Sequence, residues 1–423
     1  MVSKTDLAIF LVIFFQILNL DYTFAEPQSL DPNLRMEHVF TGQFKPSNMA
    51  FIGPEDILVL DRNEGKVYRI TDGILTTKPI LDVNIATIGY RGMLGIDTLK
   101  LDNGSQFVFL YYTESANRDG EDESGSGGVE PLGNRLYRYE LVNGELVDPK
   151  LLLDLPVNPG PRHTGGEIAI GPDNNIYVTV GDLDGTFENK YETMSQNYLN
   201  SSTIDERSAI LRVSPEGKPL GNGVLGNTFP LNLYFAYGIR NSFGLDWDPV
   251  TGSLWDTENG PHYGDEINLV QAGFNSGWVA VQGLWIPNFD EMGKLFNDTN
   301  NLVSFNSKGK YSEPEFIWIP PVAPTAIQFL SSDKYGPPLK NDLVVSDANT
   351  GTIYHFEPND NRTGLQLSES LQDKIANNMN ELKHVSLITG FGRITDMQVG
   401  PDGYLYVLSS SDDGTSIDRL MPK

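Results

Sequence analysis

Few side chains in this chain of 423 residues can transfer a proton near neutral pH, because it contains five histidines and no cysteine. One of them, His163, lies in segment 159–167 (PGPRHTGGE), which is rich in glycine and proline and comes directly before a strand-like run. Such a loop lets the backbone and an imidazole approach a ligand closely. His163 is therefore a candidate general base, although a structural histidine is an equally good interpretation of these residues alone.

A second candidate segment is 257–268 (TENGPHYGDEIN), which crowds carboxylates and amides into a turn-forming stretch. Carboxylate and backbone carbonyl oxygens are the ligands that calcium prefers, and a Gly-Pro pair can present two successive carbonyls. The candidate metal ligands are Gly260, Pro261, Asp265 and Glu266. The alternative is a hydrogen-bonded acidic turn, since the spacing is not that of an EF-hand.

A third segment, 236–245 (AYGIRNSFGL), places Arg240 and Asn241 between glycine-containing turns. A guanidinium at this position could pair with an anionic ligand. A structural salt bridge explains the same residues equally well. The complete absence of cysteine excludes thiolate nucleophiles and Cys-ligated zinc. Redox chemistry would therefore need an organic cofactor, or a metal held by oxygen and imidazole.

A sequence pattern that recurs along the chain indicates which elements would position these residues. The pattern is a turn followed by alternating apolar residues, which is typical of a β-hairpin. Its six copies are 53–60, 101–112, 171–179, 248–256, 340–346 and 400–408. These copies, irregularly spaced at intervals of 48 to 92 residues, predict an all-β fold, a six-bladed β-propeller with four-stranded antiparallel blades. A β-sandwich with coincidental turns is the alternative. Segment 365–380 has an imperfect helical pattern, and the acidic segment 114–133 is predicted to be a mobile loop.

The N-terminus resembles a targeting segment, with Lys4 before an apolar stretch at 7–20. We therefore predict a signal peptide at 1–25, or alternatively an N-terminal anchor, followed by one propeller domain at 36–422. The expected location is secreted, either periplasmic or at the extracellular surface. We expect no stable membrane insertion beyond that anchor.

The charge balance restricts the partners. The 56 acidic and 30 basic residues give a formal net charge of −26. Such a surface repels the phosphate backbone, so nucleic acid is not an expected partner. It is compatible with divalent cations and with neutral ligands.

Six segments, taken in order, resemble the soluble PQQ-dependent glucose/aldose sugar dehydrogenases, also called glucose/sorbosone dehydrogenases. The segments are 91–96 (RGMLGI), 162–166 (RHTGG), 180–182 (VGD), 237–241 (YGIRN), 258–261 (ENGP) with 265–269 (DEINL), and 392–396 (GRITD). The resemblance extends over residues 36 to 420 and implies a six-bladed propeller. It implies oxidation of an aldose at its anomeric hydroxyl to the lactone, with PQQ and Ca²⁺ as cofactors and a sugar as the substrate.

The resemblance also implies catalytic roles. His163 would be the general base, Asp182 would orient it, and Arg240 would stabilise negative charge that develops on the quinone. The implied cofactor-binding residues are Arg91, His163, Arg240, Asn241, Asn259 and Arg393, and Gly260 and Pro261 would offer carbonyls to the calcium ion. The electron acceptor is not identified by the sequence.

Three departures from the family pattern bear on the cofactor. Arg91 stands where the glucose enzymes have Gln or a similar residue, segment 346–351 lacks their lysine, and Thr395 replaces a second arginine. PQQ carries three carboxylates, so the loss of two cationic partners would weaken its binding greatly unless Arg91 compensates. Two other functions therefore stay open, a binding propeller that has lost the quinone and a calcium-dependent lactonase-like hydrolase.

Overall fold

A computed structural model describes residues 26–116, 131–183, 195–197, 204–287, 293–412 and 414–423. The predicted signal segment 1–25 and most of the predicted mobile loop lie outside these residues. Strands dominate the described chain, and its helices are four short 3₁₀ turns, at Thr299–Asn301, Asp333–Tyr335, Glu369–Leu371 and Glu381–His384. None of the helices in the described part is long and apolar enough to cross a lipid bilayer.

The described strands form six sheets, which we number along the chain. Sheet 1 contains Pro46–Gly53, Asp56–Asp61, Lys66–Thr71, Ile74–Leu75 and Leu81–Asp82. Sheet 2 contains Met93–Lys100, Gln106–Glu114, Gly133–Val142 and Glu145–Leu155. Sheet 3 contains Ile168–Ile170, Ile176–Val180, Ala209–Val213, Tyr234–Tyr237, Phe274–Asn275 and Lys310–Tyr311.

The second half of the chain forms the other three sheets. Sheet 4 contains Ser242–Trp247, Leu254–Glu258, Asp265–Val270, Phe316–Trp318 and Ile375–Ala376. Sheet 5 contains Pro324–Phe329, Leu343–Asp347, Ile353–Pro358, Ser386–Thr389, Leu365–Gln366 and Gln28–Ser29. Sheet 6 contains Arg393–Val399, Leu405–Ser411, Gly414–Pro422 and Leu34–Gly42, so the N-terminal strand completes the last sheet.

The sheets follow one another around a ring. The first strand of each sheet contacts the first strand of the next, and that of sheet 6 contacts that of sheet 1. The predicted all-β propeller arrangement is thus present. Each of the six hairpin phrases lies where the first strand of a sheet turns into the second. The turn residues in these phrases are sufficient to pair the two strands.

Two expectations about the strands are wrong. Only sheets 2 and 6 have four strands, because two-residue strands from long connections add to the others, some of them in parallel pairing. Segment 365–380 is not an α-helix; it forms a strand at Leu365–Gln366, a 3₁₀ turn at Glu369–Leu371 and a strand at Ile375–Ala376. Its buried residues Leu371 and Ala376 pack into the core beside Phe316, which an extended chain allows.

This topology collects particular positions on one face of the ring. The first strands line the centre, and the residues just before them share a face with the residues that end the second strands. We call this face the site face. The positions on it that bear on function are Arg62, Arg91, His163, Asp182, Arg240, Asn241, Asn259 and Arg393.

Deeper in the ring, carboxylates link neighbouring first strands. Asp97 accepts a hydrogen bond from the Ile170 N–H at 2.8 Å, and Asp396 accepts one from the Met49 N–H at 2.9 Å. Asp246 accepts a bond from the N–H of Phe329 in the same way, at 2.6 Å. Each bond joins one sheet to the next, so these side chains support closure of the ring.

The same carboxylates predict how stability depends on pH. Burial raises the pKa of Asp97 to about 6, that of Asp246 to about 7 and that of Asp396 to about 8. An unfolded aspartate has lost its proton by about pH 5, so the folded chain holds more protons than the unfolded chain between about pH 4 and 8. Stability therefore falls as pH rises through this window.

We expect the thermal midpoint to be higher at pH 5 than at pH 8 by roughly 5 °C or more. Melting curves at constant ionic strength would measure it, and Asp246→Asn should flatten the dependence. The matched control is Asp72→Asn at an exposed turn position, which should leave the slope unchanged. A midpoint that is equal or higher at pH 8 would contradict the prediction.

Candidate active site

The centre of the site is His163, on the loop just before the first strand of sheet 3. Its backbone has a φ of 52°, in the left-handed region that non-glycine residues rarely adopt. Strain of this kind is concentrated at functional sites. The imidazole is 12% exposed, so one edge still reaches the site face.

Asp182 holds the imidazole from behind. Its Oδ1 lies 2.6 Å from Nδ1 of His163, and its Oδ2 accepts a hydrogen bond from the indole N–H of Trp278 at 2.7 Å. The Asp182 side chain is fully buried. Both of its oxygens therefore have partners, and the carboxylate is fixed in one orientation.

The opposite nitrogen of the imidazole faces Arg240. Nη2 of Arg240 lies 3.0 Å from Nε2 of His163. A guanidinium can only donate, so Nε2 must be the acceptor and Nδ1 carries the proton that is donated to Asp182. We assign His163 as a neutral imidazole whose Nε2 lone pair accepts from Arg240. A neutral imidazole is the form that a general base requires.

Arg240 is held by backbone oxygens and one carboxylate. Its Nη1 donates to the carbonyls of Asn259 at 2.7 Å and Gly260 at 3.0 Å, and its backbone N–H donates to Glu258 at 2.7 Å. The guanidinium also lies over the Trp278 ring, 5.4 Å from its centroid. Burial lowers the pKa of Arg240 and raises that of Glu258 to about 7. The two carbonyls and the guanidinium thus share one small polar region.

Gly181 brings His163 and Arg240 together. A Cβ built there would overlap the His163 carbonyl oxygen and would lie 2.9 Å from the Arg240 carbonyl oxygen. The next N–H, that of Asp182, donates to the same Arg240 oxygen at 3.0 Å. The end of the second strand of sheet 3 is therefore packed between the two catalytic candidates, and only glycine fits there.

The predicted metal ligands do not converge. Asp265 accepts hydrogen bonds from the Gly260 N–H at 2.8 Å and from two further backbone N–H groups. Glu266 accepts from Gln282 at 2.8 Å and from the N–H of Gly283 at 2.6 Å. Adjacent strand residues point to opposite faces, so these two carboxylates cannot serve one ion together.

Within the described residues, moreover, no group of three or more His, Asp or Glu side chains is arranged to hold a metal ion. What Asp265 does is fix the loop that carries the Gly260 and Pro261 carbonyls. Burial raises the pKa of Asp265 to about 6, while the hydrogen bonds that it accepts from backbone N–H groups lower it.

The other predicted cofactor-binding residues divide into two groups. Asn241 is buried beside Arg240, and its Oδ1 has no hydrogen-bond partner among the described residues. Arg393 is exposed at the start of the first strand of sheet 6. Asn259 donates from its side chain to the Pro324 carbonyl at 2.9 Å, and Arg91 donates to the Val157 carbonyl at 2.8 Å. The side chains of Asn259 and Arg91 therefore help to build the wall of the site.

Comparison with known proteins identifies the family. The family model described as Glucose / Sorbosone dehydrogenase matches residues 44–419, nearly the whole described chain. The chain belongs to the glucose/sorbosone dehydrogenase family. This confirms the resemblance found in the six motif segments. His163, Asp182 and Arg240 lie in three of those segments, within the residues that the family model matches.

Individual members of the glucose/sorbosone dehydrogenase family are distant relatives. An aldose sugar dehydrogenase of Escherichia coli is 26% identical over 60% of this chain and 58% of that enzyme. Quinoprotein glucose dehydrogenase B of Acinetobacter calcoaceticus is 28% identical over 56% of this chain and 51% of that enzyme. An uncharacterised protein of Synechocystis is 25% identical over 92% of this chain and 86% of its own length.

Solved structures of the family show the same fold. The apo-form of the soluble aldose sugar dehydrogenase from Escherichia coli has a TM-score of 0.68 at 20% identity, covering 92% of this chain and all of that one. The PQQ-bound aldose sugar dehydrogenase from Streptomyces coelicolor has a TM-score of 0.64 at 21% identity, covering 94% of this chain and all of that one.

Proposed function

We propose that this protein is an exported oxidoreductase that oxidises an aldose at its anomeric hydroxyl to the lactone, using PQQ and calcium. The observation that carries the proposal is the continuous set of contacts from Trp278 through Asp182 and His163 to Arg240. A neutral imidazole oriented by a buried carboxylate and facing a guanidinium suits removal of a proton beside a site of developing negative charge. We also propose that each of the six sheets is one blade of the ring.

The residues on the site face fit the proposed cofactors. Two buried polar atoms there, Nε of Arg240 and Oδ1 of Asn241, have no hydrogen-bond partner in the described part of the chain. Buried polar atoms normally have one. We propose that Arg240, Asn241 and Arg393 hold the quinone. The carbonyls of Gly260 and Pro261 would hold calcium, consistent with the hard oxygen ligands that this ion takes.

The proposed reaction removes two hydrogens from the sugar. Once Arg240 turns its donor away from Nε2, that nitrogen of His163 takes the proton of the anomeric hydroxyl, and Asp182 stabilises the imidazolium that this creates. The quinone, when bound, supplies the acceptor for the hydride that leaves the anomeric carbon. Arg240 then stabilises negative charge by donating from its guanidinium. The sugar loses one proton and one hydride, which accounts for the two-electron oxidation to the lactone.

The test is reconstitution of the purified chain with PQQ and Ca²⁺, followed by assays of dye reduction with a panel of aldoses. We expect sugar-dependent reduction that requires both additions and is lost in EGTA. Uptake of PQQ without turnover of any aldose would leave a quinone-binding protein with another substrate. Failure to bind PQQ at all would contradict the proposal and favour the binding-propeller alternative. Lactone hydrolysis that depends on calcium alone would favour the lactonase alternative.

A further inference from the structure

Arg62 is a cation on the site face that the sequence motifs did not indicate. It directly follows the second strand of sheet 1, Asp56–Asp61, and its side chain is half-buried. Its Nη2 donates to the carbonyl of Gly89 at 2.6 Å. That bond uses only part of the guanidinium, which has five N–H donors.

The loop that Arg62 contacts is part of the wall around His163. The N–H of Tyr90 donates to the Pro161 carbonyl at 2.8 Å, and Thr164 donates through its hydroxyl to the Tyr90 carbonyl at 3.3 Å. Pro161 and Thr164 flank His163 within the same loop. Arg62 therefore contacts a loop that is hydrogen-bonded to the loop of the candidate general base.

Arg393 lies in the sheet next to that of Arg62, on the same face of the ring. It opens the first strand of sheet 6, which contacts the first strand of sheet 1. Burial lowers the pKa of Arg62 most strongly, and the charge of Arg393 lowers it further, while Tyr90 acts in the opposite direction. Within the described residues, neither arginine forms an ion pair with a carboxylate.

Two arginines without a carboxylate partner are unexpected in a chain with this excess of acidic residues. The chain has 56 acidic and only 30 basic residues, so most cations have a carboxylate available to pair with. Two neighbouring guanidiniums that have none create a local positive potential, which favours an anionic ligand. A planar carboxylate matches the fork of N–H donors that arginine presents.

We propose that Arg62 and Arg393, from adjacent sheets, together bind one carboxylate of the quinone. This inference rests on the proposed function and names the cation that replaces those missing from the family pattern. Thr395 cannot serve, because it carries no charge and its hydroxyl donates weakly to the Leu408 carbonyl at 3.4 Å. Segment 346–351 offers no lysine. Arg62 of sheet 1 would thus supply a positive charge in place of the lysine missing from sheet 5 and the second arginine missing from sheet 6.

The experiment titrates PQQ in the presence of Ca²⁺ and follows quenching of tryptophan fluorescence. Arg62→Ala should raise the Kd about 10- to 100-fold, since a charge-assisted bond is lost, and Arg62→Lys should raise it less. The matched control is Arg138→Ala. Arg138 is also a partly buried arginine that donates to a carbonyl, that of Pro215 at 3.1 Å, but it lies in the third strand of sheet 2, away from the site face.

A second ligand separates charge recognition from support of the loop. The trimethyl ester of PQQ lacks the carboxylate charges, so Arg62→Ala should change its Kd by less than twofold. An equal weakening for the acid and the ester would mean that Arg62 only supports the Gly89 loop, and would overturn the inference while leaving the proposed function intact. Wild-type protein that binds neither form would overturn both.

Discussion

Replacing His163 with asparagine should lower kcat for sugar oxidation by about 10²- to 10⁴-fold, the usual contribution of a positioned general base. Asparagine is the suitable replacement because the backbone φ of 52° is one that it tolerates. Its side-chain amide can still donate toward Asp182, so that the buried carboxylate keeps a partner. The Kd for PQQ, measured by fluorescence titration, should change little. The loss should therefore appear in kcat and in the pH profile of the residual activity.

The control for this prediction is His355→Asn. His355 also pairs with an aspartate, Asp342, at 2.8 Å. It lies in the third strand of sheet 5, away from the site face. That variant should retain wild-type kcat. If His163→Asn keeps the wild-type kcat and pH profile, His163 is not the base. If it loses PQQ binding instead, His163 acts mainly through the cofactor.

The fold was largely predictable because its pairing is local. Each hairpin phrase combines a turn with a period of two, and such a signal is sufficient to place a first strand beside a second one. The additional two-residue strands carry no such signal. Phe274–Asn275 pairs in parallel with a strand that ends 37 residues earlier, at Tyr237, and only the packing of the finished ring brings them together.

The proximity of His163, Asp182 and Arg240 was predictable, because these residues lie in motifs that follow one another along the chain. Trp278 was missed because it contacts Asp182 across 96 residues, and nothing near Trp278 in the sequence indicates an acceptor. The grouping of Asp265 with Glu266 failed for a reason visible in the sequence. Both lie in a strand-like run, and consecutive strand residues point to opposite faces. The acidic composition of the segment therefore indicated two carboxylate ligands that cannot reach the same ion.

Substitution of Gly181 with alanine should have the largest structural effect on the site. Its φ is not in the left-handed region, so the cost is purely steric. The added Cβ meets the backbone of His163 on one side and that of Arg240 on the other, and neither can rotate away. Overpacking of this kind typically costs about 1–3 kcal/mol, so the thermal midpoint should fall by several degrees.

The same substitution should separate His163 from Arg240 and thereby weaken the bond from the guanidinium to Nε2. We therefore expect Gly181→Ala to lose both most of its PQQ affinity and at least 100-fold in kcat, because a shift of about 1 Å at a reacting group is sufficient for such a loss. Gly53→Ala is the matched control, since a Cβ there makes only ordinary contacts, 3.6 Å from Asp56. If Gly181→Ala binds PQQ and oxidises aldoses like the control, the close approach of His163 and Arg240 is not what the reaction requires, and the two residues act independently.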